Sequence, residues 1–480
     1  MKKTKKTNKT NKTNTAQAQQ AVKKKTATTK PRRYDPAIWD MINAHAAGID
    51  VHSEEMWVCV PADRAERNVR RFGAYTDDLY AIADFLSACE ITSVAMESTG
   101  VYWIPLYQVL EERGFTVCLT NARHLKSIAG RPKTDKRDCQ WIQRLHSYGF
   151  LKASFRPHET ICQIRAIQRH RASLIQEASR HIQHMQKALD QMNLKLSKVL
   201  TDITGVSGMT IIDHILQGER APKTLATFRD SRCKKSEAEI AKALTGDYRD
   251  EHLFVLAQAR EGYRFVQSQR QACDCEIEAR LQAMDKQVDA SQSPPPPRPK
   301  VSRSKRANTM QFSGDEHTLL YELFGTDVTA IPGLEVTSGC VLYSELGADL
   351  SAWKEGKSFV SWLGLSPAER SSGGRVKSNK TKKMNNRASQ VFQLAAQSVG
   401  RSKTALGAFY RRLKARIGAP KALTATARKL ALIFYRMVTK REPYREAGET
   451  AYTQQQKDRF LKRLKRQAKQ LGYVLTPQEA

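Results

Sequence analysis

Ala129–Ile142 reads AGRPKTDKRDCQWI, with Asp135 and Asp138 set among Arg131, Lys133, Lys136 and Arg137. Acids three residues apart share one face if the stretch is helical. Two more acids stand in apolar surroundings. Asp50 is flanked by Ile49 and Val51, and strand alternation points it away from both. Glu97 closes the apolar run VAMES. Interior strands carry acids only where something offsets the charge. Cleavage of a phosphodiester by two metal ions needs such carboxylates, holding Mg²⁺ ions about 3.5–4 Å apart. Uncompensated, the four acids would repel and drive one another's pKa upward; bound cations remove that penalty. The basic residues at 131, 133, 136 and 137 would then hold substrate phosphates. The plainer readings are a lone buried acid paired with a lysine or arginine at Asp50 or Glu97, and a wet helix pairing its own charges at 135–138.

A second candidate site lies in FVSWLGLSPAERSSGGRVKSNKTKKMNNRASQ. Here a loop, Ser371–Ser372–Gly373–Gly374, is expected between an apolar helix and a helix starting near Asn386. Arg375, Lys377, Lys380, Lys382 and Lys383 follow the glycines. Glycines after a serine allow close approach to a substrate, and the basic run could assist attack by a hydroxyl on a phosphate. A basic DNA-contact loop without chemistry fits the same residues.

Elements must bring these residues together. Apolar density at Ile49–Val51, Met56–Val60 and Val69–Phe72 predicts a three-strand meander. A helix follows with Thr76 as N-cap, then a strand ending at Ser98–Thr99–Gly100. Next come a helix closed by Gly114, the strand FTVCLTN and a further helix. The order β-β-β-α-β-α-β-α predicts an α/β domain with a mixed sheet, the order of the RNase H-like fold. Residues 158–200 place apolar side chains three and four apart without Gly or Pro, predicting a long helix that serves as a coiled-coil or bundle arm. Shorter helices are expected over 201–285. SQSPPPPRPKVSRSKRANT marks a linker at 286–311. Ile-x-Gly turns at 203–205 and 331–333 resemble phosphate-gripping helix starts or plain packing corners.

The domain reading is a basic arm (1–40), a catalytic domain (41–157), a helical/coiled-coil region (158–285), the linker (286–311), a C-terminal domain (312–446) and a basic helical tail (447–480). Residues 1–33 hold twelve Lys/Arg and no Asp or Glu, too polar to fold alone. Over the whole chain 80 Lys+Arg face 48 Asp+Glu, a formal net charge of +32, which points to a phosphate-rich partner. Nine scattered cysteines without zinc-type spacing fit a reducing cytoplasm. Neither a signal peptide nor a membrane-spanning run is evident.

The blocks GIDVHSE, AMESTGVYW, RPKTDKRDCQWIQRL, IPGL…SELG and WLGLSPAERSSGG…NNRASQ occur in that order. Together they resemble the DEDD transposases of bacterial insertion sequences, or bridge recombinases, over most of residues 45–155 and 320–440. The resemblance implies a RuvC-like N-terminal domain whose Asp50, Glu97, Asp135 and Asp138 bind Mg²⁺, two ions per site, with Mn²⁺ as a substitute. It implies a C-terminal nucleophilic serine, which maps to Ser372, with Ser371 the neighbouring alternative. The implied partners are donor and target DNA and a structured non-coding (bridge) RNA. The implied assembly is a tetramer or dimer of dimers with composite sites, and the place is the bacterial cytoplasm at the nucleoid. A metal-dependent nuclease or junction resolvase using water is the alternative enzyme. A nucleic-acid packaging protein is the non-catalytic one.

Overall fold

The computed structural model describes residues 41–121, 134–297, 308–368, 370–382, 384 and 386–476. The basic arm, Arg131, Lys133, the middle of the proline-rich linker and Lys383 lie outside these residues. The chain divides into two units, the second starting at Arg156.

In the first unit, β1 (Ala46–Val51), β2 (Glu55–Cys59) and β3 (Val69–Gly73) form the expected antiparallel meander. After α1 (Thr76–Ala88), strand β4 (Ser93–Glu97) pairs with β1 in parallel. Helix α2 (Trp103–Glu112) leads to β5 (Thr116–Thr120), parallel to β4. Helix α3 (Asp135–Ser147) follows. The sheet order is β3-β2-β1-β4-β5, a mixed RNase H-like sheet. Thr76 is the first helical residue of α1 rather than its cap. Tyr75 holds the cap position, and its N–H donates to the Asp78 carboxylate at 3.1 Å.

Central strand β1 is buried along its whole length, which is why AAGIDV reads as a nearly unbroken apolar run. One sheet face gives Ile49, Val51, Val94 and Met96 to a core shared with Ile82, Leu86, Leu106 and Leu110 of α1 and α2. Each such buried side chain stabilises by about 1.5–3 kcal/mol. The opposite face carries Ala95 against Ile142 and Leu145 of α3. Asp50 and Glu97 alternate with the first set and so belong to the α3 face.

The second unit is largely helical. Helix α4 (Glu159–Gln191) forms most of the long periodic stretch expected over 158–200, but it ends at Gln191, where Asn193 turns left-handed and a separate helical turn follows at Leu196–Val199. The expectation of short helices up to residue 285 is corrected. After α5 (Val206–Leu216), α6 (Pro222–Thr227) and α7 (Glu237–Ala243), residues Asp250–Gln282 form a single helix, α8, as long as α4. Gln163 meets Arg280, Arg171 meets Asp274, and His181 lies over Gly262, so the two helices run antiparallel. The apolar stripe of α4 is therefore covered by its own chain. Ile211, Ile212, Leu225 and Ile240 join Met185, Leu189 and Leu256 in one core at the end of this hairpin.

Buried Arg171 binds Asp274 and donates to the carbonyls of Asn308 (3.4 Å) and Thr309 (3.2 Å). The Asp274 carboxylate also accepts from the Gln311 N–H at 3.2 Å. The far end of the 286–311 segment is thus tied into the hairpin, and Met310 is buried there.

Helices α9 (Glu316–Phe324), α10 (Val336–Leu346), α11 (Gly356–Trp362), α12 (Arg387–Val399), α13 (Ala405–Ile417) and α14 (Ala419–Lys440) surround an aromatic core of Phe324, Phe359, Phe392 and Phe434. Arg169 of α4 grips Glu345 of α10 in bidentate fashion at 2.9 and 2.8 Å. The Ile-x-Gly turn at 331–333 is a tight corner, where a Cβ on Gly333 would lie 2.6 Å from the Ala395 carbonyl oxygen. At 203–205 the turn glycine has room, and the close contact is made by Gly208 of α5, whose Cβ would lie 2.2 Å from the Ile203 carbonyl oxygen. The basic tail forms α15 (Gly448–Gln470). No helix among the described residues is long and apolar enough to cross a membrane.

Candidate metal centre and serine hairpin

The sheet fixes the first two acids. Ile49 lies opposite Met96 in the parallel β1–β4 ladder. One step further along, Asp50 and Glu97 are neighbours on strands about 5 Å apart. Glu97 in turn faces Thr120 on β5 and accepts a hydrogen bond from the Thr99 hydroxyl.

Helix α3 brings the other two. Thr134 caps it, with the Thr134 hydroxyl accepting from the Arg137 N–H at 3.4 Å. Asp135 and Asp138 occupy the first turn, where the helix dipole favours negative charge. The helix lies so close to β1 that a Cβ on Gly48 would sit 2.1 Å from the Gln143 nitrogen and 2.5 Å from the Cys139 oxygen. The Gln143 side chain also donates to the Ala46 carbonyl at 3.3 Å. Only glycine at 48 permits this approach, and the approach delivers the helix start to the end of β1.

Asp50 is the most buried of the four acids. Burial pushes its carboxyl above the usual range; His52 pulls it back, and the charges of Asp138 and Glu97 add to the rise. Asp50, Asp138 and Glu97 therefore share one electrostatic neighbourhood. Asp135 reaches it too. The His52 Nε2 lies 3.3 Å from Asp50 Oδ2 and 3.6 Å from Asp135 Oδ1. Ligand atoms of Asp50, His52 and Asp135 all fall within 4.8 Å of one another.

His52 was not among the residues singled out from the sequence. The signal was present, because Asp-x-His at a strand end places both side chains on one face. Lys136 and Arg137 are exposed at the start of α3 beside this cluster. Hard oxygen donors gathered around a half-desolvated acid suit a divalent cation, which would offset their mutual repulsion.

The serine stretch differs from the expected loop. Ser371 and Ser372 end β6 (Arg370–Ser372), which pairs with β7 (Arg375–Ser378) as an antiparallel hairpin. Ser372 and Arg375 face each other across the turn. Gly373 and Gly374 have φ of 58° and 72°, the left-handed pair that a two-residue type I′ hairpin turn requires. The hairpin extends back through the Ala368 N–H to Lys380 carbonyl bond (3.1 Å) and the Pro367–Thr381 bridge. At the glycine tip an added Cβ would meet nothing within 4 Å. Ser371, Ser372, Arg375, Lys377, Lys380 and Lys382 are all exposed. Asn386 caps α12, as expected, accepting from the Ser389 N–H at 3.1 Å.

An RNase H-like sheet with carboxylates gathered at adjacent strand ends is an arrangement that suits a divalent cation. Residues 47–194 match the DEDD transposase model of the IS110 type, described as a transposase. Residues 326–411 match the model described as transposase, IS116/IS110/IS902 family. The chain is an IS110-family DEDD transposase, and so a DNA recombinase that acts on DNA. No curated protein matches it significantly.

Proposed function

We propose that this transposase exchanges DNA strands of an insertion sequence by a metal-assisted attack of the Ser372 hydroxyl, directed by a structured bridge RNA. The observation that carries the metal half is the convergence of Asp50 and Asp135 on His52, with Glu97 and Asp138 in the same electrostatic neighbourhood. Asp50, Glu97, Asp135 and Asp138 would hold two Mg²⁺ ions, with Mn²⁺ as a substitute. Bound there, the ions supply Lewis-acid polarisation of the scissile phosphate and stabilise the leaving oxygen.

The Ser372 Oγ gives up its proton and bonds to phosphorus. The bond from phosphorus to the 3′-oxygen breaks, and that oxygen takes up a proton. The DNA 5′-phosphate is left esterified to serine. A 3′-hydroxyl of the partner strand then attacks the same phosphorus and displaces Oγ, which regains a proton. One phosphodiester is broken and one is made, so no nucleoside triphosphate is consumed.

Arg131, Lys133, Lys136, Arg137, Arg375, Lys377, Lys380, Lys382 and Lys383 grip phosphates, a sequence-independent role. Base pairing with the bridge RNA carries sequence choice, as in other RNA-guided systems. The assembly is a tetramer or dimer of dimers that joins the acids of one subunit to Ser372 of another, working at the bacterial nucleoid in the cytoplasm. The projecting hairpin supports this reading, since it presents Ser372 at an open tip flanked by cations.

The test is a denaturing gel of the protein incubated with donor DNA, bridge RNA and Mg²⁺. A protein–DNA adduct is expected from the native chain and none from Ser372→Ala, while DNA binding persists. Undiminished recombination with both Ser371 and Ser372 replaced by alanine would reject the serine mechanism in favour of attack by water.

A further inference from the structure

His52 has been given no chemical role above, yet it pairs with two of the acids. It follows β1 directly, two residues after Asp50, so strand periodicity aims both toward α3. Its Nε2 stands 3.3 Å from Asp50 Oδ2 and 3.6 Å from Asp135 Oδ1. Asp50 comes from the sheet and Asp135 from the first turn of α3, so His52 sits at the junction of the two elements. The imidazole side chain is 44% exposed, open enough to exchange partners without disturbing the core.

Two roles are compatible with these distances. A protonated imidazole would be a counter-ion that lets the acids sit together. A neutral imidazole would offer a nitrogen lone pair to the ion that the two carboxylates share. Spacing favours the second. Donor atoms of Asp50, His52 and Asp135 all lie within 4.8 Å of one another, as they must if a single ion at roughly 2.0–2.3 Å from each is to touch all three. Mg²⁺ demands near-ideal oxygen coordination and gives up its waters reluctantly, whereas a transition ion such as Mn²⁺ accepts an imidazole nitrogen beside its oxygen ligands.

We infer that His52 is a nitrogen ligand of the ion held by Asp50 and Asp135, and that it tilts this position from Mg²⁺ toward Mn²⁺. The inference rests on reading the acids as a metal site, and the experiment separates the two. Mn²⁺ is titrated into the full-length chain and the bound ion is examined by pulsed electron paramagnetic resonance for coupling to ¹⁴N. Bound Mn²⁺ with nitrogen coupling is expected in the native protein. Asp50→Asn should remove the bound ion, which excludes histidines elsewhere as the source. His52→Ala should remove the coupling and weaken Mn²⁺ binding by at least about tenfold, while Mg²⁺ binding changes much less. His52→Gln, which offers an oxygen instead, should keep Mg²⁺ binding and leave the Mn²⁺ preference lost. Mn²⁺ that binds the native chain without nitrogen coupling would overturn the ligand role and leave the metal site standing. No Mn²⁺ or Mg²⁺ binding at all would overturn both.

Discussion

Gly48 and Gln143 touch main chain to main chain: a Cβ on the glycine would fall 2.1 Å from the Gln143 nitrogen. That contact sets how far α3 can descend onto β1, and with it where Asp135 and Asp138 stand relative to Asp50. Neither side can yield by rotating a side chain. Gly48→Ala is expected to cost about 1–3 kcal/mol by overpacking and to abolish tight Mn²⁺ binding by lifting the helix. Urea denaturation and metal titration check both. Gly114→Ala is the control. Its φ of 81° strains an alanine, but nothing lies within 4 Å of the added Cβ, so metal binding should survive.

The same helix carries a pH-dependent element. Burial holds the His146 imidazole below its ordinary range, and its Nε2 lies 2.7 Å from the Ser93 hydroxyl. As pH falls through about 6.5 the unfolded chain takes up a proton here and the folded chain does not. Protons therefore favour the unfolded state. This part of the stability is present above about pH 6.5 and is lost as pH drops to the folded value. Melting temperatures between pH 8 and pH 5 should fall less steeply in His146→Gln than in the native chain.

Arg171 and Asp274 form an ion pair almost wholly removed from solvent. Arg171→Ala should destabilise the second unit by about 3–5 kcal/mol, because it leaves the Asp274 charge buried alone. Arg171→Met combined with Asp274→Leu should recover most of that loss. Because the pair also holds Asn308, Thr309 and Gln311, the single variant should expose the chain at 308–311 to protease, which mass spectrometry of the fragments would reveal.

The hairpin at Ser372 depends on two left-handed residues. Replacing both Gly373 and Gly374 by alanine should cost about 1–2 kcal/mol per residue locally and reduce adduct formation, with Mn²⁺ binding and global stability unchanged. Gly373→Asn should be tolerated, since asparagine accepts this conformation. Adduct yield on a denaturing gel, set beside Mn²⁺ affinity, distinguishes the two.

Much of this was written in local pattern. Apolar density placed the meander, periodicity placed α1, α2 and α4, and alternation turned Asp50 away from Ile49 and Val51. Two signals were legible and passed over. Ser-Ser-Gly-Gly-Arg-Val is a hairpin signature rather than a loop, and Asp50-x-His52 places an imidazole beside a carboxylate on one strand face. Helix α8 was missed for another reason. Its polar surface and Gly262 weaken the periodic signal, and the glycine makes sense only once His181 of α4 is seen packing over it.

By itself the sequence determined the strands and helices of the first unit and the long helix α4, the excess of positive charge, and the acids and serine available for chemistry. These follow from side-chain periodicity and composition, which act over a few residues. Tertiary structure alone decided that β1 and β4 lie side by side, that α3 rests on Gly48, and that the stripe on α4 is filled by α8 of the same chain. An apolar stripe or a missing side chain states that something must pack against it. Which distant segment does so is settled only when the whole core closes and every candidate surface competes for the same contact.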